Sequence, residues 1–123
     1  MVTTTVIIPT TGSQVLRQCV SSVLAQTHVT RALVVVDGPE YEGHVDAVLS
    51  GLDGWTKLVL PWNTGRNGFN GQRIRAGFGA LVNEDVVFYC DEDNWFEPDH
   101  VTSCLAQLDQ GNAWCYSLRR IAD

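Results

Sequence analysis

A chain of 123 residues, 45% apolar and 18% charged, can build one domain with its own core and is too short for two. Ordinary contents of Gly (11) and Pro (4) exclude a disordered, collagen-like or low-complexity protein. Eight Lys and Arg against fourteen Asp and Glu leave a net charge of −6, which lacks the basic excess that sequence-independent nucleic-acid binding needs, so no nucleic-acid partner is expected.

Residues 2–8 are β-branched throughout and stop at Pro9, with Thr10-Thr11-Gly12-Ser13 following; this reads as a buried strand feeding a turn and a helix N-cap. In residues 14–26, Val15, Leu16, Cys19, Val20, Val23 and Leu24 form one helical stripe. Residues 32–36 are continuously apolar and end at Asp37-Gly38-Pro39, the pattern of a strand covered on both faces, and the order strand, helix, strand implies a right-handed βαβ unit. A weaker helix follows over 44–52 through Val45, Val48, Leu49 and Leu52, then a short strand over 57–60 ended by Pro61. Residues 63–71 carry Gly65, Gly68 and Gly71 and form a loop, and 72–83 form a helix through Ile74, Phe78 and Leu81 despite Gly77 and Gly79. Residues 86–90 are a fourth strand. Pro98 suits the first position of a last helix with Asp99 near its positive end and Val101, Cys104, Leu105 and Leu108 on one face, stopped by Gly111; residues 113–118 read as a fifth strand.

This alternation predicts an α/β domain with an open, mostly parallel sheet and helices on both faces. Ligands of such sheets bind beyond the carboxyl ends of the strands, which are Ile8, Val36, Leu60 and Cys90. The unpaired edge after the fifth strand allows a homo-oligomer. No apolar run approaches the roughly 18 residues of a transmembrane segment, and no basic segment followed by an apolar run opens the chain. Cys19, Cys90, Cys104 and Cys115 include no C-x-x-C pair, and three of them lie in apolar periodic segments as small hydrophobes, which predicts a reducing, cytoplasmic setting.

Asp91-Glu92-Asp93 directly follow the fourth strand. An extended backbone there would point Asp91 and Asp93 to one side, roughly 6.5 Å apart along the chain. A hard cation such as Mg2+ or Mn2+ suits that pair, completing its shell with phosphate and water, and an anionic ligand beside so much acid would need one. The plain alternative is that these acids solvate a strand end and cap the next helix. A calcium loop is excluded by Trp95 and Phe96, which stand where an oxygen ligand and a glycine are needed. The scattered His28, His44 and His100 argue against a histidine metal site.

Asp37 is open to two readings, a hydrogen-bond acceptor for the imide and ribose of a nucleotide or an ordinary Asp-Gly-Pro turn. The loop over 65–71 is neither a G-x-G-x-x-G fingerprint nor a P-loop. It reads as a flexible cover from which Arg66, Arg73 or Arg75 reaches a diphosphate with a forked donor set, and Arg73 is the one assigned here to the donor. Trp62 and Trp95 beside strands are more often core than ligand platforms. There is no G-x-S-x-G, and no Cys is locally paired with a His.

Taken in order, Val6-Ile7-Ile8-Pro9-Thr10, Ser21-Ser22-Val23-Leu24-Ala25-Gln26-Thr27, Val34-Val35-Val36-Asp37-Gly38, Asn63 with Gly65, and the run from Tyr89 to Asp99 resemble a family 2 glycosyltransferase of the GT-A fold, specifically its Rossmann-like nucleotide-binding half. The resemblance implies a single donor-binding domain over residues 1–123, minimal or truncated, because members continue well past this length into an acceptor site, a catalytic base and a third metal ligand. It implies metal-dependent transfer of a sugar from a nucleotide sugar, commonly a UDP-sugar, to an acceptor hydroxyl of a glycan, lipid or protein, with inversion. Pro9 and Thr10 would line the base pocket, Asp37 would hold the nucleoside, Asp91 would contact ribose or metal-bound water, and Asp93 would ligate Mn2+ or Mg2+. The catalytic base is unknown. This chain departs from the pattern at Val36, where many members carry a second acid, and at Thr11, where an aromatic often stands. The alternatives are a nucleotide-sugar-binding module without catalysis, and a nucleotidyltransferase, the latter disfavoured because no Gly/Arg/Lys-rich loop follows the first strand.

Overall fold

The computed structural model describes residues 1–121. Strands β1 (Thr4–Thr10), β2 (Arg31–Val36), β3 (Thr56–Val59) and β4 (Val86–Tyr89) alternate with helices α1 (Leu16–Leu24), α2 (Glu42–Val48), α3 (Gln72–Phe78) and α4 (His100–Leu108). The strands form one all-parallel sheet in the order β3-β2-β1-β4. Chain direction across the sheet therefore reverses once: α1 and α2 step from β1 out to β3, and α3 returns across β2 and β1 to β4. Right-handed crossovers then require α3 on the opposite face from α1 and α2.

Alternation along β1 feeds both faces. Val6 and Ile8 join Val34 and Val36 beneath α1, α2 and α4 in the larger core, which takes in Leu16, Val20, Val45 and Val101. Ile7 and Val35 turn the other way and meet Ile74 of α3, with Phe78, Val82 and Val87 around them. All seven residues of β1 are buried, which accounts for a β-branched strand without polar alternation. The expected α/β sheet covered on both faces is what the chain forms.

The central strand contains Pro9, a residue normally kept to sheet edges because it lacks a donor. Cys90 donates its N–H to the Ile7 carbonyl (3.2 Å), while Thr10 directs its carbonyl to Asp37 N–H (3.0 Å) on the β2 side. Pro9 therefore faces β4, two residues beyond where that pairing stops at Ile7 and Tyr89. Its missing N–H falls where the strands have parted, and the parting leaves a gap at their carboxyl ends.

Two expectations are corrected. Residues 113–118 make no strand: Trp114, Tyr116 and Leu118 are exposed, and half-buried Cys115 places its sulfur 3.6 Å from the Cys104 carbonyl of α4. The segment turns at Gly111 along a helix, whose backbone has no donors or acceptors to spare for a ladder, so its apolar alternation finds no pairing partner. The expected edge after a fifth strand is thus the edge of β4. Pro98 also lies outside α4, whose N-cap position is taken by Asp99 without a side-chain cap.

That cap comes from a residue just past the end of α1. Buried Gln26 accepts the Val101 N–H through Oε1 (2.9 Å) and donates through Nε2 to the carbonyls of Glu97 (2.7 Å) and Ser22 (3.1 Å). Ser22, one turn earlier, accepts the Phe96 N–H (3.0 Å). Together they clamp residues 96–101, the segment leading out of the acidic turn, to α1. No helix among the described residues is long and apolar enough to cross a membrane.

Gln26→Leu keeps the bulk but strands the buried Val101 N–H, a loss of about 1–3 kcal/mol, and frees the half-buried Glu97 carbonyl. The variant is expected to lower the urea midpoint of unfolding with an unchanged m-value. His100 packs on Phe96 with ring centroids 4.1 Å apart, and burial lowers its pKa below the usual 6.5, partly opposed by Asp99. The unfolded chain thus takes up the proton more readily, so stability is full above about pH 6.5 and falls as the pH drops through the folded value. Between about pH 7 and pH 5, wild type should lose more Tm than His100→Gln.

Candidate functional site

The parted ends of β1 and β4, with the ends of β2 and β3 beside them, surround a cleft of about 640 Å³. Pro9, Thr10, Asp37, Asp91 and Asp93 all line it, so one place gathers five of the six residues singled out from sequence. Each arrives by a different local cause.

Thr10 is buried at the end of β1; its hydroxyl donates to the Glu92 carboxylate and accepts the Gly12 N–H (2.9 Å). The same Glu92 oxygen accepts the Ser13 N–H (3.3 Å). Glu92 thus ties the acidic turn to the opening of α1, a role that sequence reading missed. No local signal marks it, because the two residues lie 82 positions apart and meet only through the β1–β4 register that sets Ile7 opposite Tyr89.

Asp91 and Asp93 share the cleft by a turn and not by an extended strand. Strand β4 ends at Tyr89, and the Asn94 N–H bonds the Asp91 carbonyl (2.9 Å), folding residues 91–94 into a reverse turn. The turn delivers both side chains to the cleft while Glu92 is held between them.

Asp37 is buried at 4% exposure. Its Oδ1 accepts both the N–H (2.7 Å) and the hydroxyl (2.9 Å) of Thr64, and Asn63 donates to its main-chain carbonyl (2.9 Å). Asp37 therefore pins the loop after β3, beyond the plain Asp-Gly-Pro turn, while Gly38 takes φ 123° beside it. Gly65 passes so closely that an added Cβ would lie 2.8 Å from the Asn70 carbonyl oxygen and 3.1 Å from Asp37 Oδ2.

The protein-family model for glycosyl transferase family 2 matches residues 5–123. The chain belongs to that family. No curated protein matches it.

Among the assigned residues of this glycosyltransferase-family chain, Arg73 is the correction. It lies over the Phe69 ring, 4.0 Å from the centroid, and lines a separate apolar hollow with Trp62 and Phe78. Residues two apart on a helix face different ways, and on α3 it is Arg75 that enters the cleft and pairs with Asp91. Tyr41 is a further cleft residue not singled out from sequence. It brings an aromatic to the site although Thr11 does not.

Around the cleft stand the carboxylates of Asp37, Asp91, Glu92 and Asp93 and the guanidinium of Arg75. Among the described residues no cluster of three or more His, Cys, Asp or Glu could cage a metal ion. The hard oxygen donors of Asp91 and Asp93 nevertheless suit Mn2+ or Mg2+, which take one or two carboxylates and fill the remaining positions with phosphate and water. A cationic group already sits on Asp91, namely Arg75.

Cys19 and Cys104 offer no nucleophile. Cys19 and Cys90 lie sulfur to sulfur at 3.5 Å under the turn; the hydrogen bond to Cys90 and burial push the Cys19 thiol far above its usual range, with Glu92 and Asp91 adding to the shift. One Cys does pair with a His, contrary to the sequence reading: the Cys104 sulfur is 3.8 Å from His100 Nε2 across one turn of α4. Burial first, and Cys115 second, raise Cys104 to about 11. With His100 lowered, both groups stay neutral and no thiolate forms.

Gly65→Ala forces a methyl group against main chain and carboxylate, and overpacking of this kind costs about 1–3 kcal/mol. Gly43→Ala in α2, where nothing lies within 4 Å, should be neutral or stabilising by up to about 1 kcal/mol. Thermal unfolding of the two variants is expected to separate them in that order.

Proposed function

We propose that this chain is a glycosyltransferase donor domain that binds a nucleotide sugar, a UDP-sugar, with Mn2+ or Mg2+ and transfers the sugar to an acceptor hydroxyl with inversion. The observation that carries the reading is the charge of the cleft: a site at four parallel strand ends with four carboxylates and one guanidinium repels a diphosphate unless a cation lies between. In this reading Pro9 and Thr10 form the floor beneath the base, with Tyr41 at its side. The Asp37 oxygen not engaged by Thr64 accepts hydrogen bonds from the nucleoside. Asp93 ligates the cation and Asp91 meets it directly or through water. The bound ion would supply Lewis-acid stabilisation of the departing diphosphate. Arg75, and not Arg73, is the forked donor within reach of that diphosphate. The four free thiols support a cytoplasmic setting.

A second reading, a nucleotide-sugar-binding module without turnover, is favoured by one observation. Glu92 and Asp37 are engaged by Thr10 and Thr64, so once Asp91 and Asp93 serve the cation, no carboxylate lining the described cleft is left to deprotonate an acceptor.

Isothermal titration of UDP with and without Mn2+ tests the donor site. Wild type should bind only with the metal, and Asp93→Asn should lose about tenfold or more in affinity, since even outer-shell partners of a bound metal are worth that much. Equally strong binding without metal would refute the bridge. Transfer of labelled sugar to an added acceptor then distinguishes an enzyme from a binder.

A further inference from the structure

Arg75 and Asp91 form an ion pair through Nη1 and Oδ1 within the cleft, their side chains 33% and 54% exposed. The approach is built into the fold. Arg75 stands in the last turn of the short helix α3, where its N–H bonds the Gly71 carbonyl (3.0 Å). A Cβ at Gly71 would lie 2.9 Å from Pro9 Cβ and 3.3 Å from Arg75 Nη1, so the glycine keeps open the corridor along which the guanidinium reaches the turn. Of the carboxylates lining the cleft, Glu92 is held by Thr10 and Asp37 by Thr64. Asp91 is held by an arginine on a flexible stem.

From this we propose, resting on the donor-site reading above, that Arg75 is an exchangeable counter-ion that couples cation binding to nucleotide binding. With the cleft unliganded it neutralises Asp91. A divalent cation has to displace it from that carboxylate, and the freed guanidinium then becomes a forked donor for the diphosphate. A partly exposed pair is weak enough to be displaced, yet its loss is charged against the metal whenever no phosphate is present to receive the arginine. Metal and nucleotide therefore each raise the other's affinity by the same factor, as linkage requires, and part of that factor comes from Arg75.

The test measures Mn2+ binding to the full chain alone and with saturating UDP, and UDP binding with saturating Mn2+, in wild type, Arg75→Ala and Arg75→Gln. Both variants should bind Mn2+ alone about threefold tighter, the weight of a partly exposed ion pair. Both should bind UDP about tenfold or more weakly in saturating Mn2+, the weight of a charged hydrogen bond. The factor by which UDP tightens Mn2+ should shrink by about threefold, matching the gain for Mn2+ alone. The opposite signs separate this from a structural role, because a merely loosened turn would weaken both ligands together. Glutamine, which retains hydrogen-bonding capacity but no charge, should follow alanine. Unchanged or weaker binding of Mn2+ alone, or an unchanged coupling factor, overturns the exchange while metal-dependent UDP binding by wild type leaves the donor site standing. If wild type itself binds UDP without regard to Mn2+, the donor-site reading fails first and the exchange falls with it.

Discussion

The offset at which β1 pairs with β4 decides where the polar groups of this cleft lie. With Thr4 opposite Val86 and Ile7 opposite Tyr89, Pro9 falls just past the last shared bond, where its missing donor leaves nothing unpaired. The strands separate there, and three residues beyond the ladder the Thr10–Glu92 hydrogen bond closes the gap again. A second hold comes from Ser22 of α1 and from Gln26 just past its end, which grip the chain over residues 96–101. The acidic turn is thus fixed at both ends by groups other than Asp91 and Asp93. Neither of those two carboxylates is needed to hold the turn in place.

Parallel pairing also sets the electrostatics. All four strands end on the same side, so acids placed after β2 and β4 accumulate on one rim. Close carboxylates in a partly shielded cleft repel one another by an amount that grows as water is excluded. The molecule relieves this locally in three ways: the Thr10 hydroxyl with the Ser13 N–H on Glu92, the Thr64 N–H and hydroxyl on Asp37, and Arg75 on Asp91. Two of the three are fixed by main chain, and one is carried by a long side chain. A ligand that alters the charge of this cleft therefore acts first on the third.

Most of the fold was legible because periodicity reports burial: β1 and β2, apolar on both faces, and the stripe of α1 could belong only to covered elements. What escaped was everything that depends on a partner distant in sequence. Residues 113–118 alternate like a strand, but alternation says nothing about whether a sheet edge is near, and they run past α4 with Trp114 and Tyr116 exposed. Choosing Arg73 over Arg75 required the phase of α3 relative to the sheet, which the single buried residue Ile74 does not fix without knowing what Gly71 leaves open. Asp91 and Asp93 were found as a pair for a reason the structure replaces, since a turn and not an extended strand brings both to the cleft. Gln26 shows the opposite case: its place in the resemblance was noted from sequence, while its work as the cap of α4 appears only when residues 75 positions apart meet.

Asp37 does more than close the plain Asp-Gly-Pro turn that was one of its two readings. A buried carboxylate needs partners to remain charged at low cost, and Thr64 supplies two donors to one oxygen. Those bonds at the same time hold down the loop that begins at Asn63 and carries Gly65 past the second oxygen. The side chain thus shapes the pocket wall through one oxygen, and its second oxygen stays clear of Thr64 with Gly65 close beside it. Removing it would release the loop. The exposed carboxylates of the turn are different in kind, because the Thr10–Glu92 and Gln26 contacts keep the turn in place without them. Asp91, Asp93 and Arg75 can therefore be changed without releasing the turn, whereas Asp37 cannot be changed without releasing the loop after β3.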